Sequence, residues 1–206
     1  MEICRNEQET FWAGEFGDQY IERNQGDKLL ATNLHLFSTI FAKLAPINSM
    51  LEFGANIGMN IKAIQLLHPG IECSALEINA KATNELKKMR CAQVYEQALV
   101  DFKVDYPRDL VLTKGVLIHL SPAQLEQAYQ ILYAASQRYI CIAEYYNPTP
   151  ISIPYRNHQE KLFKRDFAGE MLDRFSQLSL VNYGFCYHRD LYFPQDDLTW
   201  FVLEKK

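Results

Sequence analysis

The sequence has no positive charge to spare: 21 Lys and Arg stand against 25 Asp and Glu, for a net charge of -4. A face built to hold a nucleic-acid backbone needs a basic excess, so a nucleic-acid partner is not expected. The five cysteines, Cys4, Cys73, Cys91, Cys141 and Cys186, are odd in number and contain no C-x-x-C pair. They read as buried free thiols of a reducing compartment, which places the protein in the cytoplasm. No two of the five histidines stand at i, i+4, and no Cys/His cluster has zinc spacing, so no metal site is expected. No apolar run is long enough to span a bilayer. The opening MEICRNEQETFWAG lacks a basic start followed by an apolar stretch, so it is not a secretory signal.

What remains is ordinary globular material, with 48% apolar and 22% charged residues over 206 positions. That length suits one domain with some decoration. Residues 1–45 are read as an N-terminal helical lid and first helix packed on a core over 46–206. Within the first 24 residues, Phe11, Trp12, Phe16 and Tyr20 recur about four apart, giving a short helix or two with one aromatic face. That face either covers a site or packs the segment onto the core. Helical spacing continues over 29–44, and Pro46 ends it.

The pattern then changes. Apolar strands over 49–53, 71–76, 92–95, 110–113 and 138–143 alternate with helical segments over 59–67, 80–88 and 122–135. The last of these helices is capped by Ser121-Pro122. Such alternation predicts a mostly parallel sheet with helices on both faces. The proline-rich stretch 147–157 reads as an ordered loop, and 167–174 as one more short helix. Two strands over 178–187 and 198–203, with no helix between them, predict an antiparallel C-terminal edge.

The sharpest local signal is LEFGANIGMN over 51–60. Gly54 follows a predicted strand and Gly58 opens a helix, which permits a tight turn and close approach of a ligand to free N–H groups. The dinucleotide fingerprint G-x-G-x-x-G is absent because Asn56 stands at its second glycine, and no Gly-Lys-Ser/Thr follows. Glu77 ends the next strand, 23 residues past Gly54, where an acid can accept hydrogen bonds from ribose hydroxyls. It can equally be a solvated helix cap.

These residues resemble the class I S-adenosylmethionine-dependent methyltransferases, whose nucleotide loop has the pattern acid-x-Gly-x-x-x-Gly; Glu52, Gly54 and Gly58 match it. The resemblance implies a Rossmann-like α/β fold with a mostly parallel seven-stranded sheet. It implies S-adenosyl-L-methionine as cofactor and S-adenosyl-L-homocysteine as product. Ala55 and Asn56 lie in the matched loop, Glu77 and Ile78 sit at the ribose, Ala98 and Leu99 flank the adenine, and Lys114 and Gly115 line the cofactor. Trp12 and Tyr20 are candidates for a lid over it. Four longer blocks, FWAGEFGDQYIERN, AEYYNPTPISIPYR, LFKRDFAGEM and FPQDDLTWF, resemble the methylases associated with pseudaminic acid biosynthesis. That resemblance implies a sugar or nonulosonate intermediate as methyl acceptor.

An oxygen or ammonium acceptor must lose a proton. His119, just past a strand end, is suited to take it, or else it packs the following helix. Glu144 and Tyr145 follow the next strand and are read as orienting the acceptor, although Glu144 can also be a satisfied strand-end acid. Tyr146, Asn147, Tyr155, Arg156, Arg165 and His188 are candidates for binding a polar or anionic acceptor; a solvated charged face is the alternative. Two other functions compete: a non-catalytic partner that kept the cofactor fold, and a nicotinamide-dependent oxidoreductase.

Overall fold

The apolar runs alternate strictly between two cores. In β1 (Ser49–Phe53), Leu51 and Phe53 face one way and Met50 the other. In β4 (Arg108–Lys114), Val111 opposes Leu110 and Leu112; in β5 (Ser136–Glu144), Ile140 and Ile142 oppose Tyr139, Cys141 and Ala143. Strands buried on both faces need helices on both sides. The computed structural model, which describes residues 6–89, 93–155 and 158–206, supplies them. On one side lie α3 (Asp27–Phe41), α4 (Met59–Leu67) and α5 (Ala80–Leu86). On the other lie α6 (Pro122–Ala135) and α7 (Phe167–Arg174). Ser121 and Gln124 form the capping box that starts α6, with Pro122 in its first turn. No helix among the described residues is long and apolar enough to cross a membrane.

With β2 (Glu72–Glu77), β3 (Gln93–Glu96), β8 (Leu178–Phe185) and β9 (Thr199–Lys205), the main sheet has the order β3-β2-β1-β4-β5-β9-β8. The first five strands in that order are parallel. The C-terminal edge is antiparallel, as the sequence pattern predicts, with its strands out of chain order. The last strand, β9, inserts between β5 and β8 and runs antiparallel to both, so the outermost strand is β8. The order reverses between β1 and β4, which places a crevice outside the carboxyl ends of these strands.

Five residues of the stretch predicted as a loop over 147–157 form a strand, and residues 156 and 157 lie outside the described residues. β6 (Ile151–Tyr155) pairs antiparallel with β7 (His158–Lys164) in a separate two-stranded sheet. Ile151, Ile153 and Tyr155 alternate with Ser152 and Pro154 at strand period, a signal the neighbouring prolines hid. Pro154 falls at a shift in register, where a residue without N–H is tolerated. Before the sheet, α1 (Glu7–Ala13) and α2 (Glu15–Arg23) precede α3. Cys73 and Cys141 are buried free thiols and Cys186 is half-buried; Cys4 and Cys91 lie outside the described residues.

At the opposite end of the sheet, the guanidinium of Arg108 is fully buried at the start of β4. It donates to Asp105, to the Tyr106 carbonyl (2.6 Å) and to the Tyr95 hydroxyl (2.7 Å), and it stacks 3.6 Å from the Tyr106 ring centroid. Burial pushes the Asp105 carboxyl up, but hydrogen bonds from Arg108, Tyr95 and the Tyr106 N–H outweigh it and hold the group at about 2. Removing Asp105 strands a buried cation. We expect Asp105→Ala to cost on the order of 3 kcal/mol in urea denaturation. Because the folded value lies below the ordinary 3.8, this contribution is complete above that pH and is lost as pH falls toward 2. An Asp105→Asn chain with the same acid unfolding profile as wild type would refute the assignment.

Candidate cofactor and acceptor site

The turn after β1 is built from left-handed backbone. Gly54 has φ 70°, Asn56 48° and Gly58 78°. A Cβ on Gly54 would come within 2.5 Å of a Val116 methyl, and one on Gly58 within 2.5 Å of the Met89 sulfur. Glycine is therefore required at both positions for conformation and for space, while Asn tolerates the left-handed region. The turn is tied to β2 by backbone: the N–H groups of Gly54 and Ala55 donate to the Leu76 carbonyl at 2.8 and 3.1 Å. The Glu77 carboxylate completes the tie, accepting from the N–H groups of Asn56 (2.7 Å), Ile78 (2.8 Å) and Asn79 (2.8 Å). Burial raises the Glu77 pKa against the pull of these three donors.

A cavity opens at this point, above the carboxyl ends of β1, β2 and β4. Its wall includes Gly54, Ala55 and Asn56 from the turn, Glu77 at the end of β2 and Ile78 just past it, Ala98 and Leu99 beyond β3, Lys114 at the end of β4 and Gly115 just past it. Trp12 and Tyr20 close it from α1 and α2, and His119 borders it. Glu52 and Gly58 do not line it. Glu52 is buried beneath, accepting 2.5 Å from the Asn60 amide, with its second oxygen unpartnered. Burial raises Glu52 to about 8 and lowers Lys114; the attraction between the two groups opposes both shifts. Asn60 also lines the cavity, as does Asn33 of α3, whose buried amide has no partner at either polar atom. Sequence reasoning passed over Asn33 because it sits in an amphipathic helix; only its place facing a crevice 19 residues upstream of Glu52 marks it.

The helices α1 and α2 are held largely by polar contacts, and α1 contains no buried residue. Lys161 pairs with Glu7 at 2.7 Å, Gln124 donates to Glu9 at 3.2 Å, and the Asn79 amide donates to Asp18 (2.9 Å) and to the Trp12 carbonyl (3.3 Å). The Trp12 ring packs on His119 (4.5 Å between centroids) and Tyr20 (5.3 Å). Trp12 and Tyr20 border the cavity, while Phe11 and Phe16 stack with each other at 4.1 Å.

His119 ends a one-turn 3-10 helix (Leu117–His119). Its Nδ1 lies 2.7 Å from the Lys161 carbonyl. A carbonyl only accepts, so Nδ1 carries the hydrogen and Nε2 the lone pair. Burial lowers the pKa to about 4, against the Lys161 contact. The imidazole is thus neutral at physiological pH.

Beyond His119, none of the described residues read as orienting or binding the acceptor lines the cavity. Glu144, read as orienting the acceptor, is buried and accepts from the N–H groups of Val116 (3.0 Å), Leu117 (3.1 Å) and Ile118 (3.4 Å). Its carboxylate is occupied by the turn that carries His119, and burial raises it to about 7. Tyr145 is half-buried outside the cavity wall, with the Lys164 ammonium 5.1 Å from its ring. Tyr146 is exposed against Phe201 (5.9 Å), and Asn147 donates to the Thr149 carbonyl in a local turn (2.6 Å). Tyr155 stands behind the wall, 5.0 Å from the His119 ring and 6.4 Å from Trp12. Arg165 is paired with Glu170 at 2.5 Å, and the exposed His188 with Asp197 at 2.9 Å. Arg156 and the side chain of His158 lie outside the described residues.

No family model matches the sequence, and no curated protein matches it. Solved structures do. An S-adenosylmethionine-dependent methyltransferase of Leishmania major is 16% identical, over 97% of this chain and 87% of that one, at a TM-score of 0.71. Magnesium protoporphyrin IX methyltransferase of Synechocystis, bound to S-adenosylhomocysteine, is 14% identical over 97% of this chain and 100% of that one, at 0.69. The plantazolicin methyltransferase, with the same product bound, is 12% identical over 97% and 94%, at 0.66. At such identities the likeness concerns architecture, and with the strand order above it shows that this chain has the Rossmann-like class I methyltransferase fold.

Proposed function

We propose that this protein is an S-adenosylmethionine-dependent methyltransferase acting on a small, polar acceptor. The observation that carries the reading is the cavity at the sheet's switch point. It joins an acid at the β2 tip, an apolar slot, an unpartnered buried amide and an ammonium. These groups fit the parts of that cofactor. Glu77 keeps acceptor capacity for ribose hydroxyls, since three N–H donors leave about one of a carboxylate's four lone-pair positions free. Ile78, Ala98 and Leu99 suit a flat base, and Asn33 with Lys114 suits an amino-acid end. The bound cofactor supplies a methyl group on a sulfonium, open to direct displacement by a nucleophile.

The chain's own residues do the rest. Trp12 and Tyr20 exclude water and offer aromatic faces toward a cation, worth roughly 0.5–2 kcal/mol. His119 accepts the acceptor's proton at Nε2. Glu144 is a positioning residue, fixing the turn that presents His119. Among the described lining residues Lys114 is the lone lysine or arginine, and Arg165 and His188 are paired elsewhere, so a neutral hydroxyl-rich acceptor fits better than an anion. The four sequence blocks that resemble the pseudaminic acid methylases support a sugar intermediate in that role, and the single described lining lysine disfavours its anionic nonulosonate form.

Calorimetric titration with S-adenosylmethionine or S-adenosylhomocysteine tests the cofactor site. We expect binding by wild type, none by Gly54→Val, and losses of about 1–3 kcal/mol for Glu77→Ala and Asn33→Ala. Silence from wild type at millimolar ligand would end the reading. For His119→Ala we expect unchanged cofactor affinity and turnover lower by about 100-fold or more. Because His119 stays neutral down to about pH 4, its own ionisation should not appear in the rate near pH 6.5. The same depression means that wild-type stability falls as pH drops from 6.5 toward 4, since the unfolded chain takes up the proton first. Chemical denaturation of His119→Gln should show a flatter slope over that window, and an unchanged slope would reject the assignment.

A further inference from the structure

Lys161 meets the site through both its side chain and its main chain. On β7 it alternates with Leu162, whose side chain is buried in the core, so Lys161 points the other way, toward α1. Its side chain is only 6% exposed, and its ion-pair partner among the described residues is Glu7 at 2.7 Å. A buried ammonium needs a partner of opposite charge, and this one is met by a carboxylate whose side chain is otherwise 83% exposed. Phe11 lies one helical turn beyond Glu7 on the same face of α1, and the ammonium is 5.7 Å from its ring centroid. Trp12 follows, with its indole against the His119 ring at 4.5 Å. The Lys161 carbonyl accepts from Nδ1 of the same ring at 2.7 Å. The imidazole is thus held on one side by the Lys161 backbone, and on another by an indole whose helix the Lys161 side chain anchors.

We infer that Lys161 is a positioning residue: through Glu7 it seats α1 over the His119 ring, so that one residue couples the cover of the cavity to the orientation of the group that takes the proton. What the ring does rests on the methyltransferase reading; where it sits does not. α1 contributes no buried residue of its own. Its other links to the core include amide contacts, from Gln124 to Glu9 at 3.2 Å and from Asn79 to the Trp12 carbonyl at 3.3 Å. The shorter contact between full charges is the stronger hold. Reversing the charge of Glu7 therefore unseats α1 while leaving the ring's own contacts intact, and water reaches the imidazole. The described titratable groups on the elements packed against the ring are Tyr155 of β6, Lys161 of β7, Glu144 beneath its turn, and Glu7 and Glu9 on α1. A second positive charge beside Lys161 would by itself disfavour protonation of the ring. Hydration favours it, so the sign of the change separates the two effects.

Proton NMR titration of the His119 ring in the full chain, its signal assigned by loss in His119→Gln, tests this without cofactor or acceptor. Burial holds the wild-type imidazole at about 4, so its signal should not move between pH 8 and 5. In Glu7→Lys the ring should titrate with a midpoint between about 5 and 6.5, the range of a hydrated imidazole. Glu15→Lys, the matching reversal in the first turn of α2, is the control. That carboxylate accepts from Gln19, and the ring should titrate as in wild type. In a Lys161→Met background, adding Glu7→Lys should no longer move the midpoint, because the partner is gone. Hydrogen exchange at the amides of residues 10–13 should quicken in Glu7→Lys and not in Glu15→Lys. Turnover of Glu7→Lys should be about 10-fold lower, with an acid limb at the NMR midpoint. A ring that titrates alike in wild type and Glu7→Lys, a shift that Glu15→Lys reproduces, or one that persists in Lys161→Met would overturn the proposal. Were the NMR shift to appear while wild type binds no cofactor and transfers no methyl group, the seating by Lys161 would stand and the methyltransferase reading would fall.

Discussion

Backbone N–H groups buried where a strand gives way to a helix must find an acceptor, and at two such turns in this protein the acceptor is a glutamate. Glu77 accepts three N–H groups and ties the glycine turn to the tip of β2. Glu144 accepts those of Val116, Leu117 and Ile118 and fixes the turn after β4. Val116 in turn packs where a side chain on residue 54 would be. The two clamped turns thus meet across the crevice and define its floor.

These clamps are made of ionisable groups in places that disfavour charge. Burial raises both carboxyls, and the donated N–H groups offset part of that cost. Glu52 lacks comparable compensation: one oxygen has the Asn60 amide and the other has no partner, and its pKa rises to about 8. Asn33 is likewise unsatisfied while bordering the cavity. The far end of the sheet shows the contrast. There Arg108 is as deeply buried, yet most of its donors are met within the network of Asp105, Tyr95 and Tyr106. One donor there, Nε of Arg108, stays unmet, but at the crevice, where a polar ligand has something to satisfy, both polar atoms of Asn33 do.

The cover over the crevice is attached differently from its floor. α1 and α2 rest on ion pairs and amide contacts through Glu7, Glu9 and Asp18, together with ring contacts from Trp12 and Phe16 to His119 and Tyr155. Such polar contacts contribute less than apolar burial and are more readily exchanged with water. A segment held this way can cover a site without being part of the sheet's core.

Local patterning in the sequence was enough to place the strands around β1, β2, β4 and β5, the helices between them, and the bend at Gly54 and Gly58. These depend on periodicity and backbone sterics, which act over a few residues. It missed β6 because prolines 148 and 150 outweighed the alternation of Ile151, Ile153 and Tyr155, and whether an isolated strand finds a partner is settled at a distance. The same holds for the site. Glu77 and Lys114 end strands and His119 ends the short helical turn after β4, and the topology carries all three to one crevice. Glu144 also stands at a strand end, but three N–H groups from 26 to 28 residues away claimed it first. Arg165 went to Glu170, and Asn33 came to the cavity from a helix that gave no sign of it. Residue type and spacing fix what a side chain is able to bind; which partner reaches it first is decided only when distant segments are brought together.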